Sequence, residues 1–166
     1  MKKLFVCLTV AMGLVMGCAS KTVHNDPTVQ LVSYGIYKEE ARKSSRPAGS
    51  DEMMVGDVYK EIDAVLLQPT DTIPSRMHVL FGIEYSIASP DKEVDVQVIH
   101  VHPEITSPDG KVYGNQTYRT RKETGKVHHA LYEIEAPGEM VEGPWTIQVF
   151  VDGKKHVEKT FNLKKE

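Results

Sequence analysis

Apolar and polar residues alternate with a period of two through most of the chain after Val29. Such alternation is typical of β-strands with one buried face, because successive side chains point to opposite sides of a strand. The longest example is Arg76–Ala88, in which six apolar residues occupy every second position: Met77, Val79, Phe81, Ile83, Tyr85 and Ile87. The pattern predicts a central strand over Arg76–Ala88 with these six side chains in the core.

Shorter alternating runs predict further strands over Val58–Leu67, Val94–Val98 and Trp145–Val151. Asp152-Gly153 follows the last of these and predicts a two-residue type I′ turn, with a return strand that ends near Leu163. Seven or eight short strands, separated by turns about every dozen residues, predict an all-β antiparallel sandwich. The large side chains expected in its core are Trp145, Phe81, Phe161 and Tyr85.

The segment Lys38–Asp57 is expected to form a long loop, with at most one helical turn at Glu39–Lys43. Loops of about twenty residues in compact domains are usually functional or disordered. The apolar residues Met53-Met54-Val55 within it either pack back onto the domain or meet a partner. Leu80 and Phe150 lie opposite the core-facing side chains of their strands, and they either contact an edge or loop or form an exposed patch.

Residues 1–17 have the features of an export signal. Two lysines precede the apolar run Leu4–Val15, which is shorter than the roughly 20 residues that a membrane-spanning helix needs. The sequence Val15-Met16-Gly17-Cys18 resembles the lipobox of bacterial lipoproteins, and this resemblance implies that Cys18 is acylated and becomes the mature N-terminus. In such lipoproteins an Asp after the cysteine is associated with retention in the inner membrane, so Ala19 favours the outer membrane.

These features divide the chain into a lipoprotein signal peptide (1–17), a lipidated N-terminus and tether (18–28) and a single β-sandwich domain (29–166). Removal of the signal, which carries two lysines and no acids, changes the net charge from −3 to −5. A surface of that charge is not attracted to nucleic acid or to acidic headgroups, so the acyl chains on Cys18 are expected to provide the membrane attachment. The chain has only two cysteines, Cys7 and Cys18, so no disulfide is expected within the mature domain.

Four motifs, taken in order, carry a resemblance to a known family. They are Val32–Tyr37; Ile73–Arg76 with Phe81–Tyr85; His102-Pro103 with Pro108–Lys111; and Glu139–Trp145. Across roughly Val29 to Leu163, the chain resembles the domain of unknown function 3859 family. The resemblance implies a small exported domain of immunoglobulin-like sandwich architecture. It implies no activity and no catalytic residues, because the family has none assigned.

His100 and His102 are the principal candidates for a binding site. Residues i and i+2 of a strand point to the same face about 7 Å apart, so two imidazoles at this spacing can chelate one metal ion. His128-His129 would add a third ligand if its strand lies nearby, and Met77-His78 resembles the mixed ligands of copper sites. The favoured interpretation is different: Val98-Ile99 interrupts the alternation, so a bulge leaves both histidines as solvated residues beside a turn.

Sequence signatures of catalysis are weak. The carboxylate pairs Glu61/Asp63, Glu93/Asp95 and Glu133/Glu135 have strand spacing and are interpreted as solvated faces, not as the paired acids of a glycosidase. The sequence contains no Gly-x-Ser-x-Gly elbow, and Gly110–Gly114 lacks the Lys-Ser/Thr of a phosphate-binding loop. We therefore expect no enzymatic activity and no cofactor.

The sequence thus favours a non-enzymatic lipoprotein that is anchored through Cys18 in the bacterial cell envelope, at the periplasmic face of the outer membrane. Its β-sandwich is expected to bind another envelope protein through strand edges or the Lys38–Asp57 loop. Two alternatives stay open: binding or handling of copper or zinc through His100 and His102, and an envelope enzyme without a recognisable motif. No nucleic-acid partner is expected.

Overall fold

The computed structural model describes residues 26–45, 59–107 and 109–165. Within these ranges nine strands and one 3₁₀ turn at Pro137–Glu139 follow one another along the chain. The strands are β1 (Thr28–Ser45), β2 (Tyr59–Gln68), β3 (Thr72–Pro74), β4 (Leu80–Ala88), β5 (Glu93–Thr106), β6 (Val112–Glu123), β7 (Val127–Glu133), β8 (Gly143–Val151) and β9 (Lys154–Lys164). They form a four-stranded sheet in the order β2-β1-β4-β7 and a five-stranded sheet in the order β3-β9-β8-β5-β6.

The two sheets pack face to face around a common core, which confirms the predicted sandwich. Neighbouring strands are antiparallel, apart from the short parallel pair of β3 and β9. The described residues form nine strands, where the sequence predicts seven or eight. One reason is that β3 has three residues, which is too short to produce an alternating pattern.

The core between the sheets contains the large side chains that the sequence predicts. Trp145, Tyr85, Phe81 and Phe161 are each at most 2% exposed. The Phe81 ring lies edge-on to the Phe161 ring at 5.3 Å and to the Trp145 ring at 6.0 Å between centroids. Such pairs contribute about 0.5–1.5 kcal/mol beyond the burial of their surfaces. This aromatic group therefore joins β4 of one sheet to β8 and β9 of the other.

The central strand β4 begins at Leu80 and not at Arg76, so its predicted start is wrong. Met77 and His78 form a turn in which His78 has a φ of 63° and its backbone N–H donates to the Ile134 carbonyl. This turn carries the chain from β3 in one sheet to β4 in the other. The alternation continues through it because Met77 packs against the core from the turn itself.

The β8–β9 hairpin agrees with its prediction. β8 ends at Val151 and β9 begins at Lys154, with Asp152 and Gly153 between them. These two residues have φ values of 48° and 78°. Positive φ at both central positions defines the type I′ turn, whose twist matches that of the flanking strands.

The predicted loop Lys38–Asp57 is wrong over its first half, where Lys38–Ser45 continues β1 and pairs with β2. The helical turn expected at Glu39–Lys43 is wrong for the same reason. The sequence gives no signal for this strand because both of its faces carry polar residues, whereas antiparallel pairing with β2 satisfies the backbone whatever the side chains. The remaining loop residues, Met53-Met54-Val55 among them, lie outside the described residues.

The four-stranded sheet curls strongly about a pair of glycines. Gly35 of β1 lies opposite Gly82 of β4, with φ values of 144° and 153°. A Cβ atom on Gly35 would come within 2.0 Å of the Gln68 carbonyl oxygen, and one on Gly82 within 2.2 Å of the Ala130 carbonyl oxygen. Glycine therefore permits a bend that other residues would prevent. As a result, Cα atoms of β2 and β7, separated by two strands in the sheet, come within 8 Å.

Candidate functional site

His100 and His102 lie on the core-facing side of β5, where they continue the buried positions of that strand. They are 6% and 7% exposed, so the expectation that both are solvated is wrong. The alternation of buried residues runs without interruption from Val94 to His102, and the change of register comes only between Val101 and Ile105. The irregularity therefore begins after Val101. His100 lies in regular pairing, opposite Gln116 of β6 and Ile147 of β8, whereas His102 lies within the irregular stretch with its side chain still buried.

Aromatic rings surround both imidazoles. The His100 ring lies 5.9 Å from Tyr118 and 5.4 Å from Tyr132 between centroids, and it is edge-on to both. The His102 ring stacks on Trp145 at 4.7 Å with an angle of 28° between the planes. It also contacts Tyr132, at 6.4 Å. Both imidazoles thus contact the same tyrosine, which belongs to β7 of the opposite sheet.

Burial makes both imidazoles neutral. Removal from water, with a smaller contribution from His102, lowers the pKa of His100 from 6.5 to about 3. Burial likewise lowers the pKa of His102. The Nδ1 atom of His102 lies 2.8 Å from the Pro103 carbonyl oxygen. A carbonyl only accepts hydrogen bonds, so Nδ1 carries the proton and Nε2 carries a lone pair.

The Nε2 atoms of His100 and His102 are both buried, and neither has a hydrogen-bond partner within the described part of the chain. A buried polar atom without a partner destabilises the folded state by about 1–3 kcal/mol. Most buried polar atoms in proteins are paired, so two adjacent exceptions require an explanation.

The loop between β7 and β8 closes this end of the sandwich. Glu139, which is buried, accepts hydrogen bonds from the backbone N–H groups of Glu135 at 2.7 Å and Ala136 at 3.1 Å. Burial raises the pKa of its carboxyl group, and the Tyr132 hydroxyl also hydrogen-bonds to it. The Trp145 Nε1 atom donates to the Val141 carbonyl at 3.0 Å. These bonds fix the two aromatic residues against which the histidines pack.

The other predicted ligands do not join this pair. His128 faces the core beside Tyr85, and its Nε2 atom lies 2.7 Å from the Glu123 carbonyl oxygen. His129 faces the opposite side of the sheet, and His78 lies in an exposed turn, 3.5 Å from Glu133. Among the described residues, no group of three or more His, Cys, Asp or Glu side chains is placed to hold a metal ion.

A polar network lies on the outer face of the four-stranded sheet. The two carboxylate oxygens of Glu84 contact different partners, the Ser33 hydroxyl at Oε2 and His129 Nε2 at Oε1, the latter at 3.0 Å. The Ser33 hydroxyl is also 2.7 Å from the Tyr37 hydroxyl. An ionised carboxylate only accepts, so Tyr37 donates to Ser33, Ser33 donates to Glu84, and His129 donates to Glu84. In a serine-hydrolase triad the histidine stands between the serine and the acid, whereas here the carboxylate does.

A small second core accompanies this network. Tyr37, Ala64 and Leu80 are buried on the outer face, with Leu66 and Leu131 packed against them. Burial is the main reason that the pKa of Tyr37 rises to about 12. Leu80, for which the sequence left open an exposed patch, is a buried member of this cluster, whereas Phe150 is half-buried on the other sheet. The outer face is buried here because the curled sheet folds β2 towards β7.

Sequence reasoning considered His129 only as a possible metal ligand, and it gave Ser33, Tyr37 and Glu84 no role beyond their place in the family motifs. One signal was available: Ser33 and Tyr37 are four residues apart and share one face of β1. Glu84 lies opposite Ser33 in the register. A buried tyrosine on the polar face of a strand departs from simple alternation. The curl that buries it depends on long-range pairing, which the local pattern does not contain.

Of the predicted acidic pairs, Glu93 and Asp95 are exposed, and Arg121 lies 3.6 and 3.7 Å from their carboxylate oxygens. Glu133 and Glu135 are half-buried. The ion pairs of Arg121 with Glu93 and Asp95 are exposed, and such pairs contribute little to stability, typically about 0–1 kcal/mol.

The predicted signal peptide and Cys18 lie outside the described residues. In the part of the chain that is described, none of the helical structure is long and apolar enough to cross a membrane.

Residues 25–163 match the family described as domain of unknown function (DUF3859), which is the family that the sequence motifs resemble. The fold is similar to that of an immunoglobulin-like protein (PA1606) from Pseudomonas aeruginosa, with a TM-score of 0.62 and 16% sequence identity. That similarity covers 86% of this chain and 99% of the other. No curated protein matches the sequence. The chain therefore belongs to the DUF3859 family and has an immunoglobulin-like β-sandwich fold.

Proposed function

We propose that the chain is a non-enzymatic lipoprotein, anchored through acylated Cys18 at the periplasmic face of the outer membrane, whose β-sandwich binds another protein of the cell envelope. The anchor rests on the resemblance of residues 15–18 to a lipobox. The binding role rests on the distribution of exposed apolar side chains over the two sheets. The order of the Ser33, Glu84 and His129 side chains supports a structural role for that network, because a serine held only by a carboxylate lacks the histidine base of a hydrolase.

Exposed apolar side chains are concentrated on the four-stranded sheet. Among the described residues, six large hydrophobic side chains are exposed, and five belong to β1, β2 and β7: Leu31, Val32, Val65, Leu67 and Val127. The sixth, Val112, is on β6 of the other sheet. This distribution favours the four-stranded sheet over the other sheet as the surface for a partner.

Strand β2 combines apolar exposure with an edge that pairs with no other described strand. It is the outermost strand of its sheet and pairs with β1 on one side. Leu67 and Val65, 61% and 40% exposed, lie two residues apart and so face the same side of this strand. An extended segment of a partner can pair with such an edge through its backbone, while its side chains contact the apolar residues.

Photocrosslinking in intact cells tests the binding surface. A photoreactive amino acid is placed at Leu67 on β2, and the control position is Val112, which is 58% exposed on an edge strand of the other sheet. We expect a discrete adduct from position 67 and none from position 112. Equal labelling from both positions, or no adduct from position 67, contradicts the proposal.

Palmitate labelling with membrane fractionation tests the anchor separately. The unaltered chain should be labelled and should sediment with the outer membrane. Cys18→Ser should be unlabelled, and either released from the membrane or retained as an uncleaved precursor. Folding should be unaffected, because Cys18 precedes every strand that the sequence predicts and is expected to form no disulfide. An unaltered chain that is unlabelled and soluble rules out lipidation, whatever the crosslinking result.

A further inference from the structure

We propose that His100 and His102 form a buried two-coordinate site for a soft monovalent cation, Cu(I), with one Nε2 atom from each imidazole as ligand. This inference is independent of the proposed binding surface, which lies on β2 of the other sheet. It starts from the two unpaired nitrogen atoms at the end of the sandwich that the β7–β8 loop closes.

The positions of the two rings allow them to share one ion. His100 and His102 are two residues apart on the buried face of β5, so their Cα atoms are about 7 Å apart. Both rings lie against the ring of Tyr132, which limits their separation. Metal–imidazole bonds are about 2 Å long, so an ion between two Nε2 atoms requires them to be about 4 Å apart. The proposal requires the two Nε2 atoms to take this separation around the ion.

The hydrogen bonding of His102 matches that of a metal ligand. Its Nδ1–H donates to the Pro103 carbonyl, which fixes the tautomer and leaves the Nε2 lone pair available. Histidines that bind metals usually donate their other ring N–H to a carbonyl or carboxylate in this way. Stacking on Trp145 further fixes the orientation of the ring.

The surroundings select the kind of ion. Zinc takes four ligands in structural sites, and magnesium and calcium take six or more, mostly oxygen. Among the described residues no third His, Cys, Asp or Glu side chain joins this pair, and the two Nε2 atoms are shielded from water. A monovalent ion with two nitrogen ligands requires neither water nor an acid. The faces of Trp145 and Tyr132 are suited to stabilise its charge through cation–π contact.

The only tryptophan of the chain provides a specific reporter for this site. Because Trp145 stacks on His102, an ion at the Nε2 atom should alter its fluorescence. The protein as isolated from cells is titrated in detergent with Cu(I), kept reduced by ascorbate without oxygen, and in parallel with Ag(I), which does not change oxidation state. We expect the Trp145 emission to change and to saturate at one equivalent of either ion, with a rise in the melting temperature.

Matched variants separate this site from the cysteines and other histidines. His129→Gln removes a partly exposed imidazole on the opposite face of the four-stranded sheet and should retain the full emission change. The double variant His100→Gln with His102→Gln should lose the emission change. Because this variant keeps the cysteines, the loss would not be due to them. An emission change of equal size in the double variant assigns the ion elsewhere and overturns the proposal.

Nitrogen NMR of the unaltered protein keeps the test decisive if the double variant does not fold. One equivalent of Ag(I) should shift the Nε2 resonances of His100 and His102 together and leave that of His129 in place. No shift at either Nε2 atom overturns the proposal. Saturable binding of Zn(II) with none of Cu(I) or Ag(I) overturns the two-coordinate assignment.

Discussion

Two clusters use the same residue types in different ways. The inner cluster lies between the sheets and consists of His100, His102, Tyr132, Glu139 and Trp145, whereas the outer cluster lies on the outer face of the four-stranded sheet and consists of Ser33, Tyr37, Glu84 and His129 with the apolar residues packed beside them. The outer cluster pairs His129 with the carboxylate of Glu84. The inner cluster also contains an acid, Glu139, but backbone N–H groups occupy its carboxylate, and the nearby histidines keep unpaired Nε2 atoms. In the outer cluster a carboxylate thus supplies the partner of the histidine, whereas in the inner cluster it does not.

Burial increases the difference between the clusters. The side chains of Glu84 and His129 are each 21% exposed, so water can replace a lost hydrogen bond there. His100 and His102 are nearly inaccessible, and water cannot compensate for a change around them. We therefore expect substitutions in the inner cluster to affect stability more than comparable substitutions in the outer one.

The largest expected effect follows from Trp145→Ala. The change removes the ring that stacks on His102 and contacts Phe81 and Tyr132, and it leaves the Val141 carbonyl without its donor. Replacement of a buried aromatic residue by alanine typically lowers the free energy of unfolding by about 3–5 kcal/mol. Urea denaturation followed by circular dichroism measures this difference.

Leu131→Ala in the outer cluster is the comparison for this change, because Leu131 is only partly buried. It should destabilise the protein by less than Trp145→Ala does. If the two variants lose the same stability, the inner cluster does not dominate the folding energy.

The second expected effect is loss of stability in acid. The unfolded chain protonates His100 below about pH 6.5, whereas its pKa in the folded protein is about 3. Between these values the unfolded state binds more protons, so the free energy of unfolding falls by up to about 1.4 kcal/mol per pH unit. At pH 4.5 the loss from His100 alone is about 2–3 kcal/mol. The lowered pKa of His102 acts in the same direction.

Variants isolate the contribution of His100. The raised pKa of Glu139 acts in the opposite direction, because the folded state binds that proton first as the pH falls. The pH dependence of the free energy of unfolding therefore contains contributions from several groups. The comparison between the variant and the unaltered chain isolates the contribution of His100. Denaturation at pH 7 and pH 4.5, with a metal chelator present, should give a smaller acid loss for His100→Gln than for the unaltered chain. An unchanged acid loss in His100→Gln excludes the buried neutral imidazole as its cause.

The local alternation of apolar and polar residues is sufficient to predict much of the inner cluster. The alternation around Phe81 and Trp145 identified core side chains, because one buried face per strand is visible in a single run of sequence. The alternation of buried residues extends through His100 and His102, but the adjacent apolar residues Val98 and Ile99 mask it in the sequence and suggest a bulge. Only the register of β5 with β6 and β8 shows that pairing continues past Val98.

The outer cluster could not be predicted in this way. Its burial depends on the curl at Gly35 and Gly82, which places β2 near β7. Strand order and curvature are properties of long-range pairing, whereas alternation reports only which residues share a face. For the same reason, the polar strand Lys38–Ser45 was mistaken for a loop, although β2 pairs with it along its length.

The smallest expected effect compares the two tyrosine hydroxyls. Tyr37→Phe removes a donor to Ser33, which keeps its hydrogen bond to Glu84 and has partial access to water. We expect a loss of about 0.5–1.5 kcal/mol in the free energy of unfolding. Tyr132→Phe removes the hydroxyl that bonds to buried Glu139 and accepts from Gln116 at 3.3 Å, and should cost about 1–3 kcal/mol. Each substitution removes one oxygen atom and keeps the ring, so urea denaturation of the two variants compares the hydroxyls directly. If Tyr37→Phe is the more destabilising, water does not compensate in the outer cluster, and the contrast between the two clusters is wrong.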